Sequence, residues 1–160
     1  MNYKKFIDKK IKEIRKIVRQ EKAMSVLSGG VDSSTVTVLG HKALGNRLKT
    51  VFIDNGLMRE KEPENVVKTF KKIGIKVEVI NAKEKFFRAL SRKTDPEEKR
   101  ETITQVFYRD VFKKIIRKNK INFLLQGTEY LIKFLLTIKI KKERVVILPS
   151  PVLFLKNGQN

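Results

Sequence analysis

The stretch from Ala23 to Ser34, AMSVLSGGVDSS, limits the folds open to this chain more than any other. An apolar run, Ala23-Met24-Ser25-Val26-Leu27, passes directly into two glycines and several hydroxyls, and a helix-forming segment, Thr35 to Leu44, follows. That order predicts a buried strand, a tight turn and a helix N-terminus. Gly29 and Gly30 reach backbone angles closed to other residues and let the main chain come close to a ligand. The helix behind them turns unpaired N–H groups and the positive end of its dipole into the turn, where an anion, typically a phosphate, is stabilised. Ser28, Ser33 and Ser34 add hydroxyls around Val31. Asp32 is a carboxylate in a phosphate nest and calls for a cation, for which a magnesium ion shared with the phosphates is the natural choice. The stretch is neither GxxxxGK[ST] nor GxGxxG. An ordinary glycine turn capped by Asp32 and Ser33 is the competing reading; the six positions SGGVDS taken together, just after an apolar strand, favour phosphate.

The rest of the chain alternates. Asn2–Gln20 reads as an amphipathic helix, with Ile7, Ile11, Ile14 and Val18 on one face and lysines on the others. Strands are predicted at Ala23–Leu27, Lys49–Ile53, Lys76–Ile80 and Asn122–Gln126. Helices are predicted at Thr35–Leu44, Glu64–Ile73 and Ala82–Leu90, and as one continuous run over Glu101–Lys118. Asp95 reads as an N-cap, with Pro96 at the first helical position and Glu97 and Glu98 in the first turn. This alternation implies an α/β fold: a parallel sheet with right-handed crossovers and helices on both faces. Ligands in such sheets bind beyond the carboxyl ends of the strands. Asp54, closing the second strand, is therefore a candidate contact, although Asp54-Asn55-Gly56 is equally a strong Asx-turn sequence. Gly127 and Thr128 close the fourth strand at the same edge. His41, the only histidine, is assigned no role. Beyond Thr128, Arg144–Leu148 and Val152–Leu155 read as possible strands.

Composition adds bounds. There is no cysteine, so disulfides, thiolate catalysis and cysteine zinc sites are excluded. The N-terminus is lysine-rich without an apolar h-region, and nothing is long and apolar enough to span a bilayer, so a cytoplasmic protein without a membrane partner is expected. The net charge of +20 invites a nucleic-acid reading, but the lysines are spread along the whole chain, and nucleic acid is not the expected partner.

Several blocks, KKFIDKKIKEI, LSGGVDSS, HKALGNRL, VFIDNGLMREKE, NAKEKFFRAL, TDPEEKR and LLQGT, occur in an order that resembles the ATP pyrophosphatase domain of the GMP synthases, in the separate-subunit form typical of archaea. The resemblance covers about Lys4 to Thr128. It implies the adenine nucleotide alpha hydrolase-like fold of N-type ATP pyrophosphatases. It also implies a ligase that adenylates XMP with release of pyrophosphate, so that ammonia from a glutaminase partner gives GMP and AMP. ATP would be held by Ser28, Gly29, Gly30, Val31, Asp32, Ser33, Ser34, Asp54, Gly127 and Thr128, with magnesium at Asp32. TDPEEKR matches the family's lid loop, which makes Lys99 and Arg100 candidates for phosphate contact.

The departures are equally specific. The helix after the lid reads ETITQVF where the family carries a basic residue, so Gln105 stands in its place. After LLQGT the family's proline–aspartate segment and paired-histidine loop are replaced by EYLIKFLLTIKI. The expected organisation is an ATP pyrophosphatase domain over residues 1–128 and a divergent tail over 129–160, without the C-terminal domain that forms the family's homodimer and helps bind XMP. A truncated, catalytically inert ATP-binding module is the alternative, and an RNA-associated protein with the same pyrophosphatase loop is a further one.

Overall fold

The computed structural model of the chain describes residues 3–127 and 144–147. Helix α1, Tyr3–Val18, leads into strand β1, Ala23–Leu27, and then helix α2, Val31–Leu44. A 3₁₀ turn, Gly45–Arg47, precedes β2, Leu48–Asp54. Then come α3, Glu62–Lys72; β3, Val77–Asn81; and α4, Lys83–Leu90. Helix α5, Pro96–Gln105, continues without a break through a π-helical segment, Val106–Phe112, into α6, Lys113–Asn119. Strands β4, Phe123–Gln126, and β5, Arg144–Ile147, complete the described elements.

The five strands form one parallel sheet in the order β3-β2-β1-β4-β5. Successive residues of a strand point to opposite faces, and the packing follows that alternation. From β1, Ala23 packs with Ile14, Val18, Val36 and Leu39 of α1 and α2, and Leu27 packs with Phe70 of α3. Met24 points the other way, into a cluster with Phe86, Val111, Phe112, Ile115 and Ile116 from α4, the π segment and α6. Helices therefore cover both faces, and β1, at the centre, carries no charged residue. Ser25 is the one polar side chain of β1, and it is satisfied. Its hydroxyl lies 2.7 Å from that of Thr37, which donates to the Ser33 carbonyl, so Ser25 is the donor. This buried bond fastens β1 to α2 beneath the turn that joins them.

Two predicted boundaries need correction. Helix α2 begins at Val31 rather than Thr35, so Val31 to Ser34 are its first turn. The predicted continuous α-helix over Glu101–Lys118 is interrupted by the π segment, in which four of seven residues are buried, among them Tyr108 and Phe112. Phe87, read as part of an apolar side, is half exposed. Strand β5 agrees with the predicted strand over 144–147; the expectations for Thr128, 129–143 and Val152–Leu155 lie outside the described residues.

Candidate functional site

The strand order places a topological switch point at β1. The chain runs outward from β1 through β2 to β3, then returns to place β4 on the other side of β1. Crevices beyond the carboxyl ends of strands form at such points. Here that crevice is a cleft of about 410 Å³ lined by the turn after β1, the first turn of α2, the end of β4 and the π segment.

The turn is built from its own residues. Gly29 has φ of +79°, a backbone angle that favours glycine, and a Cβ there would lie 2.4 Å from Oε1 of Glu62, which would have to swing aside. Gly30 is the N-cap of α2, in an extended conformation, and brings no side-chain acceptor to the helix end. Ser33 Oγ donates to the Gly30 carbonyl at 3.1 Å and accepts from the Ser28 amide at 3.1 Å and the Ser28 hydroxyl at 2.9 Å. Ser34 Oγ donates to the same carbonyl at 2.8 Å. The serine hydroxyls thus shape the turn. Among the described residues no acceptor meets the N–H groups of Gly29, Gly30 and Val31. The turn offers an anion these amides and the positive end of a fourteen-residue helix.

Ser28, Gly30, Val31, Asp32, Ser33 and Gly127 all line the cleft. Gly127 sits close against α2: a Cβ there would lie 3.2 Å from Val36 Cγ2 and 3.4 Å from Asp32 Cβ. Gly29 and Ser34 belong to the same turn and helix start. Thr128 lies outside the described residues. Asp54 closes β2 on the neighbouring side of β1 and does not line the cleft. Its Oδ1 accepts from the Gly56 amide at 3.0 Å, the Asx turn, while Oδ2 lies 3.1 Å from Lys83 Nζ. Lys99 and Arg100 are carried by α5 and do not line the cleft; Arg100 is bound to Glu97 at 2.7 and 2.9 Å.

Asp32 is the acidic residue in the first turn of α2. Among the described residues no group of three or more His, Cys, Asp and Glu side chains gathers as a metal centre. A cation here fits only as one shared between a single carboxylate and ligand phosphates, which is how magnesium is commonly held.

The opposite wall was not foreseen. Phe107, Tyr108 and Phe112 line the cleft from the π segment. Tyr108 and Phe112 pack edge to face with ring centroids 5.8 Å apart. Burial pushes the Tyr108 phenol well above the usual tyrosine range, so it remains a neutral donor at physiological pH. None of the three rings was among the candidate site residues. The signal in the sequence was three rings within six residues, FYRDVF, about two turns of helix ahead of the strand that ends at the ligand edge.

Three comparisons bear on this site. The NAD synthase family pattern matches residues 2–136. The chain is 51% identical over 130 residues to one subunit of the glutamine-hydrolyzing GMP synthase of Archaeoglobus fulgidus, covering 81% of this chain and 42% of that protein. It is 48% identical over 129 residues to the corresponding GMP synthase subunit of Pyrococcus abyssi, covering 80% of this chain and 42% of the relative. The chain thus spans about two fifths of the length of these relatives. Among solved structures, the NH3-dependent NAD synthetase of Campylobacter jejuni superposes with a TM-score of 0.65 at 17% identity, covering 86% of this chain and 61% of that one, a likeness of fold.

Proposed function

The chain belongs to the NAD synthase family, and from that premise we propose that it is the ATP pyrophosphatase part of a GMP synthase. The two relatives at about half identity carry that name. The observation that carries the reading is the uncapped start of α2 behind the Gly29–Gly30 turn, opening into a cleft at the switch point of the sheet.

In this reading the triphosphate of ATP lies on the turn from Ser28 to Ser34. The 2-oxygen of XMP attacks the α-phosphorus, the bond to the β-phosphate oxygen breaks, and pyrophosphate leaves. Ammonia, from a glutaminase partner, then displaces AMP from the adenylated base to give GMP. The amides at Gly29, Gly30 and Val31 stabilise the charge that grows on the departing pyrophosphate. Ser28 and Ser33 hold those amides in place. A magnesium ion shared between Asp32 and the phosphates supplies charge compensation when bound. Gly127 closes the site just after β4, Thr128 and Asp54 are kept as the further ATP contacts that the family resemblance implies, and Lys99 and Arg100 reach the phosphates only if α5 moves toward the turn. The homodimer of the family is a further expectation for the complete enzyme. No described helix is long and apolar enough to cross a membrane.

The test is release of AMP from ATP by the full chain. Release that requires both XMP and ammonia, and that falls with Asp32→Asn, supports the ligase. Saturable ATP binding without AMP release leaves an inert nucleotide-binding module, and no ATP binding removes the phosphate reading of the turn.

A further inference from the structure

In sequence the lysines look evenly spread, but folding gathers a set of them. Lys5, Lys9, Lys12 and Lys16 follow one another at intervals of four, three and four residues, the repeat of a single helical face, Arg19 follows just past the end of α1, and all five are exposed. They lie opposite Ile11, Ile14 and Val18, which seat α1 on the sheet. Four of them line a shallow surface groove with Asp8 and Glu13. Lys9, Lys12 and Lys16 make no ion pair among the described residues, whereas Glu13 is taken by Lys10. Like charges at these intervals repel, so α1 keeps a stripe that its own sequence does not neutralise.

The stripe does not stop at the end of α1. The Arg47 guanidinium donates to the Arg19 carbonyl, joining the last cation of the stripe to a second cleft of about 370 Å³ at the amino-terminal edge of the sheet, opposite the phosphate turn. Lys22, Arg47, Lys49 and Lys76 line that cleft from the starts of three strands and the 3₁₀ turn, against a single acid, Glu78, which pairs with Lys49. Lys22 and Lys76 have no ion pair among the described residues.

We propose that this continuous cationic track is a binding surface for a nucleic-acid phosphate backbone, separate from the nucleotide cleft. Length decides against a small phosphorylated ligand. From Lys5 to Lys16 the stripe on α1 extends about 17 Å at about 1.5 Å per residue, which matches about five phosphates of one duplex strand at about 3.4 Å each. A lipid surface is disfavoured, because the apolar face that would enter it is buried against the sheet. Among the described residues no Phe or Tyr lines the groove or the cleft, so recognition rests on backbone charge and is independent of sequence.

The experiment is fluorescence anisotropy of the full chain with fluorescein-labelled U15 RNA and with a 15-base-pair DNA duplex, between about 50 and 200 mM salt. Two triple variants of equal charge change are compared. One is Lys9→Glu with Lys12→Glu and Lys16→Glu; the other is Lys68→Glu with Lys85→Glu and Lys114→Glu, away from the track. The track variant is expected to bind more than tenfold more weakly, with the slope of log affinity against log salt shallower by about two to three; the other variant stays within about threefold of the parent. Tighter binding of either probe supports the proposal and says which form the track prefers. Equal losses in the two variants would reduce the effect to net charge and overturn it. So would the absence of binding to both probes, or retention only by phosphatidylserine vesicles. ATP binding, read in parallel, is unchanged by the track variant, so failure of either reading is visible without the other.

Discussion

Two helices of this molecule begin in opposite ways. At α5, Asp95 accepts from the Glu98 amide at 2.8 Å, Pro96 occupies the first turn, and Lys93 and Arg100 bind Glu98 and Glu97. That helix end is capped by neighbours in sequence. At α2 the N-cap is Gly30, the nearby hydroxyls are spent on the Gly30 carbonyl, and the helix end faces a cleft. One start is closed on itself and the other is left for something external. The contrast teaches that a helix N-terminus becomes a binding element through what its sequence withholds.

Transplanting the cap gives the sharpest test. Gly30→Asp suits the extended backbone there, since a Cβ would meet only Ser28 Oγ at 3.5 Å. A carboxylate on the α2 amides is expected to weaken ATP binding by about 2–3 kcal/mol, roughly thirty- to one-hundred-and-fiftyfold by calorimetry. Unliganded stability rises by a few tenths of a kcal/mol. Unchanged ATP affinity would mean that the two helix starts are equivalent after all. Gly29→Ala follows in size: a left-handed alanine costs about 1–2 kcal/mol in denaturant unfolding. Part of that loss returns when Glu62→Ala removes the carboxylate that the new Cβ would strike.

The aromatic wall that faces α2 adds a difference in alkali. Burial raises the Tyr108 pKa in the folded chain above its unfolded value of about 10. Between those two values the unfolded chain has lost the proton and the folded chain keeps it. Stability therefore falls as pH rises past about 10, by up to about 1.4 kcal/mol per pH unit. Subtracting the stability curve of Tyr108→Phe from that of the parent isolates this slope; identical curves would refute it. The smallest effect belongs to the closed start: Asp95→Ala is expected to cost about 1 kcal/mol, a fall of about 3 °C in Tm, with ATP affinity unchanged.

What could be read from sequence was local chemistry. The order strand, turn, helix at β1–α2, the Asp95-Pro96 cap and the Asx turn at Asp54 each depend on a few adjacent residues, and each is present, the exact start of α2 apart. The start of α2 was misplaced because serine, aspartate and glycine signal turns, while here Ser33 and Ser34 complete the first helical turn by bonding back to Gly30. Three further features depend on residues distant in the chain. The Lys83–Asp54 pair joins β2 to α4, Glu62 reaches the Gly29 turn from α3, and β4 docks beside β1 after about a hundred intervening residues. Periodicity also could not separate α from π winding over seven residues, so Tyr108 kept its place in the cleft hidden.

The π winding over Val106–Phe112 has a consequence for how this chain tolerates change in length. A wide turn holds one more residue than an α turn, and each α-helical residue rotates the chain by about 100°. Deleting a single residue there and relaxing to α geometry would swing the Tyr108 ring off the cleft rim and twist Ile115 and Ile116 away from the sheet. The surplus residue is a phase shifter between two rigid parts, and the stretch that looks most like a packing defect is the one least open to shortening.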